Sequence, residues 1–68
     1  MELRYAVGMT VIVTVADATV RGRLANVTRR FLTIREATSL SSTGREPVPL
    51  AGALFVPVDQ LSYVQVVE

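Results

Sequence analysis

The first half of the chain alternates apolar and polar residues in the way that half-buried β-strands do. Residues 9–15 read MTVIVTV and residues 19–27 read TVRGRLANV. Successive side chains of a strand point to opposite faces, so this alternation predicts two strands. A glycine within a strand is typical of a bend or a close backbone approach, so Gly22 predicts a sheet that curls toward a small barrel. In the first strand Met9, Val11, Val13 and Val15 are expected to share one face. In the second strand Val20, Gly22, Leu24 and Asn26 are expected to face inward.

Three further strands are predicted in the rest of the chain, at residues 31–37, 50–56 and 60–67. In the third strand Leu32 and Ile34 are expected to share a face with Glu36. In the fifth strand Leu61, Tyr63, Gln65 and Val67 are expected to lie opposite Ser62, Val64 and Val66. Leu61 and Tyr63 are predicted to pack in the core or at a subunit interface. The last two strands are apolar on both faces, so one of those faces needs a cover.

The connections are marked by turn-forming residues. Residues 17–18 predict a short turn and residues 28–30 a polar connection, while Pro57 is expected to end the fourth strand. Residues 38–49 (TSLSSTGREPVP) are rich in Ser and Thr and hold one Gly and two Pro, so they predict a loop. No stretch of ten residues has helical periodicity, and residues 1–7 are expected to form one helical turn at most.

Length and composition indicate a small all-β domain that needs partners. The 68 residues allow one domain, with its core over residues 8–67, and half of them are hydrophobic. A chain this short buries too little surface for more than marginal stability, and small domains compensate with disulfides, metals or oligomerisation. The sequence has no Cys and no His, so association with other copies is the expected remedy.

The absence of certain residue types also limits the catalytic chemistry open to the chain. Without His, Cys or Lys the chain lacks the usual general base, thiol nucleophile and Schiff-base amine. The six carboxylates show no spacing that suggests a catalytic pair. The sequence therefore predicts a protein that is not an enzyme and that uses no metal or cofactor.

Charge is unevenly distributed although the net charge is only +1. Residues 1–35 hold six Arg against two acids, and residues 36–68 hold one Arg against four acids. Arginine suits bidentate phosphate contacts and stacking on bases. Arg21, Arg23 and Arg35 are expected to form a basic stripe on one side of the second and third strands. This stripe is either a non-specific nucleic-acid surface or a solvated face crossed by salt bridges to Glu36 or Glu46.

The N-terminal segment resembles a secretory signal, but the resemblance is superficial. Arg4, an apolar run over 5–15 and the triplet at 16–18 have the order of a signal and its cleavage site. Thr10 and Thr14 interrupt the run, and cleavage would remove the first strand. The uncharged runs are also too short to span a bilayer as a helix. We therefore expect a soluble, cytoplasmic protein.

Three segments resemble the Sm/Lsm-like family of small β-barrels. Residues 15–24 (VADATVRGRL) are similar to its first motif, residues 31–37 (FLTIREA) to its Asn-Leu-x-Leu-x-x-Ala segment, and residues 55–64 (FVPVDQLSYV) to its second motif. With residues 8–11, the resemblance covers about residues 8–67. It implies a strongly bent five-stranded barrel. It also implies that the fourth strand of one subunit pairs with the fifth of the next, closing a homo-oligomeric ring of roughly five to seven subunits.

The resemblance also implies a single-stranded RNA site in two loops, although this chain departs from the family pattern there. Thr28 stands where the family usually has Asp, Phe31 where it has the base-reading Asn, and Pro57-Val58 where it has Arg-Gly. Ala18 replaces the usual turn Gly. The candidate RNA-binding residues are Arg29, Arg30, Phe31, Asp59 and Gln60.

Each of these candidates also has a structural interpretation. Arg29 and Arg30 would meet phosphates while Phe31 stacks on a base. Alternatively, Phe31 lies in the barrel core and both arginines are solvated or paired with a neighbour's acid. Residues 57–60 line the ring opening or simply form a tight turn in which Asp59 accepts a backbone hydrogen bond.

Three functions follow as hypotheses. The first is a non-catalytic Sm-like ring that binds single-stranded RNA. The second is a ring that serves as a scaffold or protein-binding module and has lost RNA binding. The third is a monomeric SH3-like barrel that binds a peptide.

Overall fold

The computed structural model describes residues 3–16, 18–40 and 47–67. One 3₁₀ turn, Arg4–Ala6, precedes the first strand, and another, Val58–Gln60, connects the last two strands. Between and after them it is built from β-strands, which confirms the expected all-β class and the short N-terminal turn. The strands are β1 (Thr10–Val15), β2 (Ala18–Val27), β3 (Phe31–Leu40), β4 (Val48–Pro49), β5 (Leu54–Pro57) and β6 (Leu61–Val66).

All strand pairs that the structure describes are antiparallel, in the order β4-β3-β2-β1-β6. β5 lies off this path and pairs with the first half of β3, from Phe31↔Pro57 to Ile34↔Leu54. The far end of β3 pairs with β4 instead. The long strand β3 therefore holds two short partners at its two ends, which requires a sheet that bends along its length.

The bend is built at a β-bulge that faces Gly22. The register runs from Arg21↔Thr38 to Arg23↔Arg35, so two residues of β3, Glu36 and Ala37, lie opposite the single Gly22. Such a bulge bends the strand and increases its twist. Glu36 has a φ of +54°, in the left-handed region, and its side chain is exposed. The prediction of a bend at Gly22 is confirmed.

The core is made by the inward residues of the bent sheet. Val11 and Val13 of β1, Leu24 of β2, and Leu32, Ile34 and Ala37 of β3 are buried together with Val56 of β5. Leu3 and Ala6 of the N-terminal 3₁₀ turn join the same cluster. Hydrogen bonds from Gly8 N to Leu24 O (2.7 Å) and from Leu24 N to Met9 O (2.9 Å) fix this turn to β2. The N-terminal turn therefore closes one end of the barrel.

Several predicted boundaries were wrong because pairing with a neighbour outweighed local composition. β3 continues to Leu40, past its predicted end, because Thr38, Ser39 and Leu40 pair with β2. Val48–Pro49 also form a strand, so the predicted loop 38–49 is wrong for all its described residues except Pro47. Residues 41–46 lie outside the described residues. Residues 50–53 are not strand, and β5 begins at Leu54. The predicted turn at 17–18 is corrected because Ala18 already pairs with Val15 in β1, while Asp17 lies outside the described residues.

Several side chains were also predicted to face the wrong way, because shifts in the register between strands change the alternation. The bulge turns Glu36 outward and puts Ala37 in the core, and a second register shift between Leu24 and Asn26 leaves Asn26 exposed. A third shift in the β1–β6 pairing brings Leu61 to the side of Val64 and Val66, which pack against the core. Met9 was predicted to share a face with Val11 and Val13, but it precedes β1 and is exposed while those two residues are buried. No helix in the described ranges is long and apolar enough to cross a membrane.

Candidate nucleic-acid interface

The turn between β2 and β3 is held by one side chain, that of Thr28. Its Oγ1 accepts hydrogen bonds from the backbone N–H of Phe31 (3.0 Å) and of Arg30 (3.3 Å). The backbone N–H of Thr28 donates to Phe31 O at 2.9 Å. A threonine hydroxyl is well suited to this, since Ser and Thr hydroxyls form such local turns with their own backbone. The result is a tight turn from which the side chains of Arg29 and Arg30 extend into solvent.

A second turn, between β5 and β6, lies against the first. The backbone N–H of Val58 donates to Arg30 O at 2.8 Å, and this bond joins the two connections directly. Around this contact the structure opens a crevice of about 470 Å³, lined by Arg29, Arg30, Phe31, Pro57, Val58 and Asp59. Four of the five candidate RNA-binding residues therefore border one space. Gln60 is in the same 3₁₀ turn and is exposed, but it does not line the crevice.

Phe31 is placed at the surface and not in the core. Its side chain is 42% exposed, while its neighbours Leu32 and Ile34 are fully buried. The reason is the alternation of β3, which turns residues 31, 33 and 35 outward. The alternative interpretation, in which Phe31 lies in the barrel core, is therefore wrong for the chain described. An aromatic side chain that lines the same crevice as two arginines offers a ring for stacking and cations for phosphate at one place.

Residues 57–60 form the predicted turn, but among the described residues Asp59 does not accept the expected backbone hydrogen bond. Pro57 is the last residue of β5, and the 3₁₀ turn Val58–Gln60 follows it without a side-chain cap hydrogen bond. Asp59 is exposed at the crevice. Pro57 and Val58 supply its apolar wall, a contribution that the sequence analysis did not assign to them. Their position opposite Phe31 in the β3–β5 register is what puts them there.

The predicted basic stripe is present on the outer face of β2 and β3. Arg21, Arg23 and Arg35 are all exposed, and Arg23 lies directly opposite Arg35 in the strand register. Arg23 Nε lies 3.3 Å from Glu36 Oε1, so one of the two expected salt bridges is formed. The other expected acid, Glu46, lies outside the described residues. In the part of the chain that the structure describes, no group of three potential metal ligands is found.

Three of the described strands, β4, β5 and β6, have only one partner, and two of them, β5 and β6, carry exposed aromatic residues. β5 pairs with β3 alone and β6 with β1 alone among the described strands. Phe55 of β5 is 65% exposed and Tyr63 of β6 is 60% exposed. Of the two places predicted for Tyr63, the core and a subunit interface, the structure rules out the core, because the β1–β6 register turns Tyr63 outward, opposite Thr14. A second crevice, almost entirely apolar, borders β5 and is lined by residues of β1, β2 and β5 together with Leu50, including Val15, Val20, Leu54 and Phe55.

No protein-family model matches the sequence, and no curated protein matches it either. Solved structures do. The SmAP1 heptamer of P. aerophilum superposes with a TM-score of 0.81 at 18% identity, covering 96% of this chain and 86% of that one. A heptameric archaeal Sm protein gives a TM-score of 0.80, also at 18% identity, over 96% of this chain and 94% of that chain. The chain therefore has the Sm-like fold.

Proposed function

We propose that this Sm-like chain is a non-catalytic subunit of a closed homo-oligomeric ring, and that the ring binds single-stranded RNA. The observation that carries the RNA part is the crevice where the two turns meet. There Arg29, Arg30 and the exposed ring of Phe31 face Asp59 across a space open to solvent.

Assembly is supported by the two open edges. An unpaired strand edge offers a row of N–H and C=O groups to another chain. β5 and β6 correspond to the fourth and fifth strands of the family pattern, because the short β4 was not predicted. The edges are different surfaces of one molecule, so pairing β5 of one copy with β6 of the next is head-to-tail, and such contacts close into a ring when the rotation allows. Both structures compared above are heptamers.

The exposed aromatic residues support the same assembly. A small domain that leaves Phe55 and Tyr63 mostly exposed on its two open edges gains stability by covering them. Aromatic residues are enriched at the centres of protein interfaces. The apolar crevice beside β5 gives the neighbouring copy a surface to fill.

RNA binding is supported by the chemistry of the first crevice and not by the family's own base-reading residues, which are absent here. Binding to single strands without strong sequence preference needs an aromatic platform and cations along the backbone. Phe31, Arg29 and Arg30 provide both. The Thr28 hydrogen bonds keep their turn in one conformation, which lowers the entropy lost when RNA binds.

Native mass spectrometry of the protein purified without nuclease tests both parts together. We expect a ring of roughly five to seven copies that carries nucleotide mass. A ring without RNA affinity in subsequent titrations would instead establish a scaffold, and a monomer would refute the assembly.

Two sets of variants locate the surfaces. Arg29→Gln with Arg30→Gln is expected to abolish RNA binding and leave the ring intact. Phe55→Ser is expected to break the ring, whereas Val48→Ser, at an exposed valine of β4, is the matched control that keeps it. Unchanged RNA affinity in the double arginine variant would refute the assignment of the crevice.

A further inference from the structure

We infer that Arg23 and Arg35 form a second phosphate-binding site, on the outer face of the sheet, which holds the backbone of an RNA strand that leaves the crevice. That the phosphate belongs to RNA rests on the proposed function. The anion site itself rests on the strand register and on the contacts of Glu36.

The two arginines are held together by the fold. Arg23 of β2 and Arg35 of β3 are directly opposite, and both side chains are exposed. Opposite residues in an antiparallel pair have Cβ atoms roughly 5 Å apart on one face, and like charges placed so are destabilising. A bound anion between the two guanidinium groups would remove this repulsion.

Glu36 does not neutralise the pair, but it orients one member. The bulge gives Glu36 its left-handed backbone and directs its carboxylate to Arg23 Nε at 3.3 Å. A guanidinium has five N–H donors, so this contact leaves the terminal nitrogens of Arg23 available. Among the described residues no carboxylate forms an ion pair with Arg35 or with nearby Arg21. The three arginines and one acid keep a local excess of positive charge.

The surface around the pair is open to solvent and about equally polar and apolar. Arg23, Arg35 and Glu36 border one groove with Leu50 and Gly52. Arg23 and Glu36 also border a second groove, which Arg21 and Thr38 line on the other side. Planar guanidinium groups suit phosphate oxygens because two parallel N–H donors can bind one phosphate. The arrangement therefore fits a phosphodiester that spans both grooves.

One strand of RNA can reach both sites. Phe31, Thr33 and Arg35 point to the same face of β3, so the crevice and the arginine pair lie on one continuous path. Four residues of strand separate Phe31 from Arg35, which is about 13 Å. Stacked nucleotides advance about 3.4 Å each, so no more than about four of them bridge the two sites.

The test measures binding of fluorescein-labelled single-stranded RNA by anisotropy, with the assembled wild-type protein and with variants of Arg35 and Glu36. Two probes are used: a dinucleotide, which is too short to bridge the two sites, and a strand of about 16 nucleotides, the upper end of the site sizes for small single-strand-binding barrels. For Arg35→Gln we expect a loss of about ten-fold on the long probe, as for removal of a hydrogen-bonded charged group. We expect little change on the short probe, which the crevice can hold alone.

Salt dependence and matched variants separate phosphate binding from other roles. The log–log slope of affinity against salt on the long probe should become shallower by about 0.7 in Arg35→Gln. Arg35→Lys keeps the charge and should keep the slope while losing part of the affinity. Glu36→Gln should bind the long probe more tightly, because it removes the acid beside Arg23. Thermal unfolding of Arg35→Gln should show equal or greater stability, since a like-charge pair is removed.

The outcomes distinguish the inference from the proposed function. If Arg35→Gln binds the long probe as wild type does while the Arg29/Arg30 variant loses binding, the second site is refuted and the proposed function stands. If wild type binds neither probe, the RNA assignment fails at both sites. In that case titration with inorganic phosphate, followed by NMR of the arginine Nε–H signals, decides the anion site: shifts at Arg23 and Arg35 support it, and their absence refutes it.

Discussion

Replacing Gly22 by alanine is expected to destabilise the fold, because the bend of the sheet depends on the missing side chain. A Cβ at this position would lie closest to the Ile34 Cγ2 methyl, 3.0 Å from the Arg35 carbonyl oxygen and 3.1 Å from Ala37 Cα. Two of these three neighbours are backbone atoms of the β3 bulge, and Ile34 is fully buried. None of them can move aside without disturbing the core or the strand.

The size of the effect follows from two opposing contributions. Overpacking a core by a methyl group costs roughly 1–3 kcal/mol, and the backbone contacts put Gly22→Ala toward the upper end. Alanine loses less conformational entropy than glycine on folding, which offsets roughly 0.5–1 kcal/mol of the overpacking cost. We therefore expect a net loss of about 2 kcal/mol in the free energy of unfolding. For a domain of this size that corresponds to a fall in Tm of roughly 8–16 °C.

Urea unfolding followed by far-UV circular dichroism measures the loss, at one fixed protomer concentration because association itself shifts stability. The variant Ile34→Leu, combined with Gly22→Ala, gives a double-mutant cycle that tests the packing argument. Leucine has similar volume but no methyl branch at Cβ, so it removes the closest contact at a cost below about 1.5 kcal/mol. In the double variant we expect a favourable coupling of about 1 kcal/mol. Wild-type stability of Gly22→Ala, or strictly additive effects in the cycle, would refute the packing argument.

Three further substitutions test local features. Ala16 has a φ of +54°, so Ala16→Gly should raise stability by roughly 1 kcal/mol, measured as a rise in Tm, and a fall would contradict the assigned strain. Thr28→Val removes the acceptor of the Arg30 and Phe31 N–H bonds, so it should lower the free energy of unfolding by about 1 kcal/mol and weaken RNA binding, whereas Thr28→Ser should retain both. Ala6 is fully buried in the N-terminal turn, so Ala6→Leu should cost roughly 1–3 kcal/mol in urea unfolding, and an unchanged midpoint would show that the turn does not close the barrel.

The sequence was informative where local pattern and tertiary pairing agree. The alternation of residues 9–15 and the glycine at 22 predicted β1 and the bend, and both are confirmed. Pro57 was expected to end a strand, and it is the last residue of β5. Proline has no N–H to donate to a neighbouring strand. Because Pro57 lies at the end of β5, on an unpaired edge, the absence of this donor breaks no hydrogen bond between strands.

The sequence was misleading where a neighbour decides the conformation. Thr38, Ser39 and Leu40 belong to a segment with loop composition, yet they continue β3 because β2 supplies backbone partners for them. A β-bulge also cannot be predicted from the alternation of apolar and polar residues, because its extra residue turns every following side chain to the opposite face. For this reason Glu36 was expected to face inward with Ile34, and the structure places Ala37 there instead. The two interpretations of Phe31, in the core or stacked on a base, could not be separated from the sequence, because an aromatic residue at the start of a strand is compatible with both.

The candidate RNA residues could be selected from the sequence, but only the family resemblance indicated that they lie close together. Arg29, Arg30 and Phe31 are adjacent in the chain, whereas Asp59 is far from them along it. The bond from Val58 N to Arg30 O joins the two turns, and nothing in the composition of either turn indicates it. The pairing of Phe31 with Pro57 across β3 and β5 explains why they meet.

The bend and the inferred anion site depend on the same few residues, and this has a consequence for both. Two residues of β3 face Gly22, so Glu36 is turned out toward Arg23 and Arg35 is left opposite Arg23. A single bulge therefore shapes the barrel and creates the like-charge pair. Substitutions at Gly22 or Ala37 would alter the bend and the pair together, so a loss of RNA binding in them would have two explanations. Arg35 and Glu36 have exposed side chains, and replacing them changes the charge while leaving the packing that forms the bend.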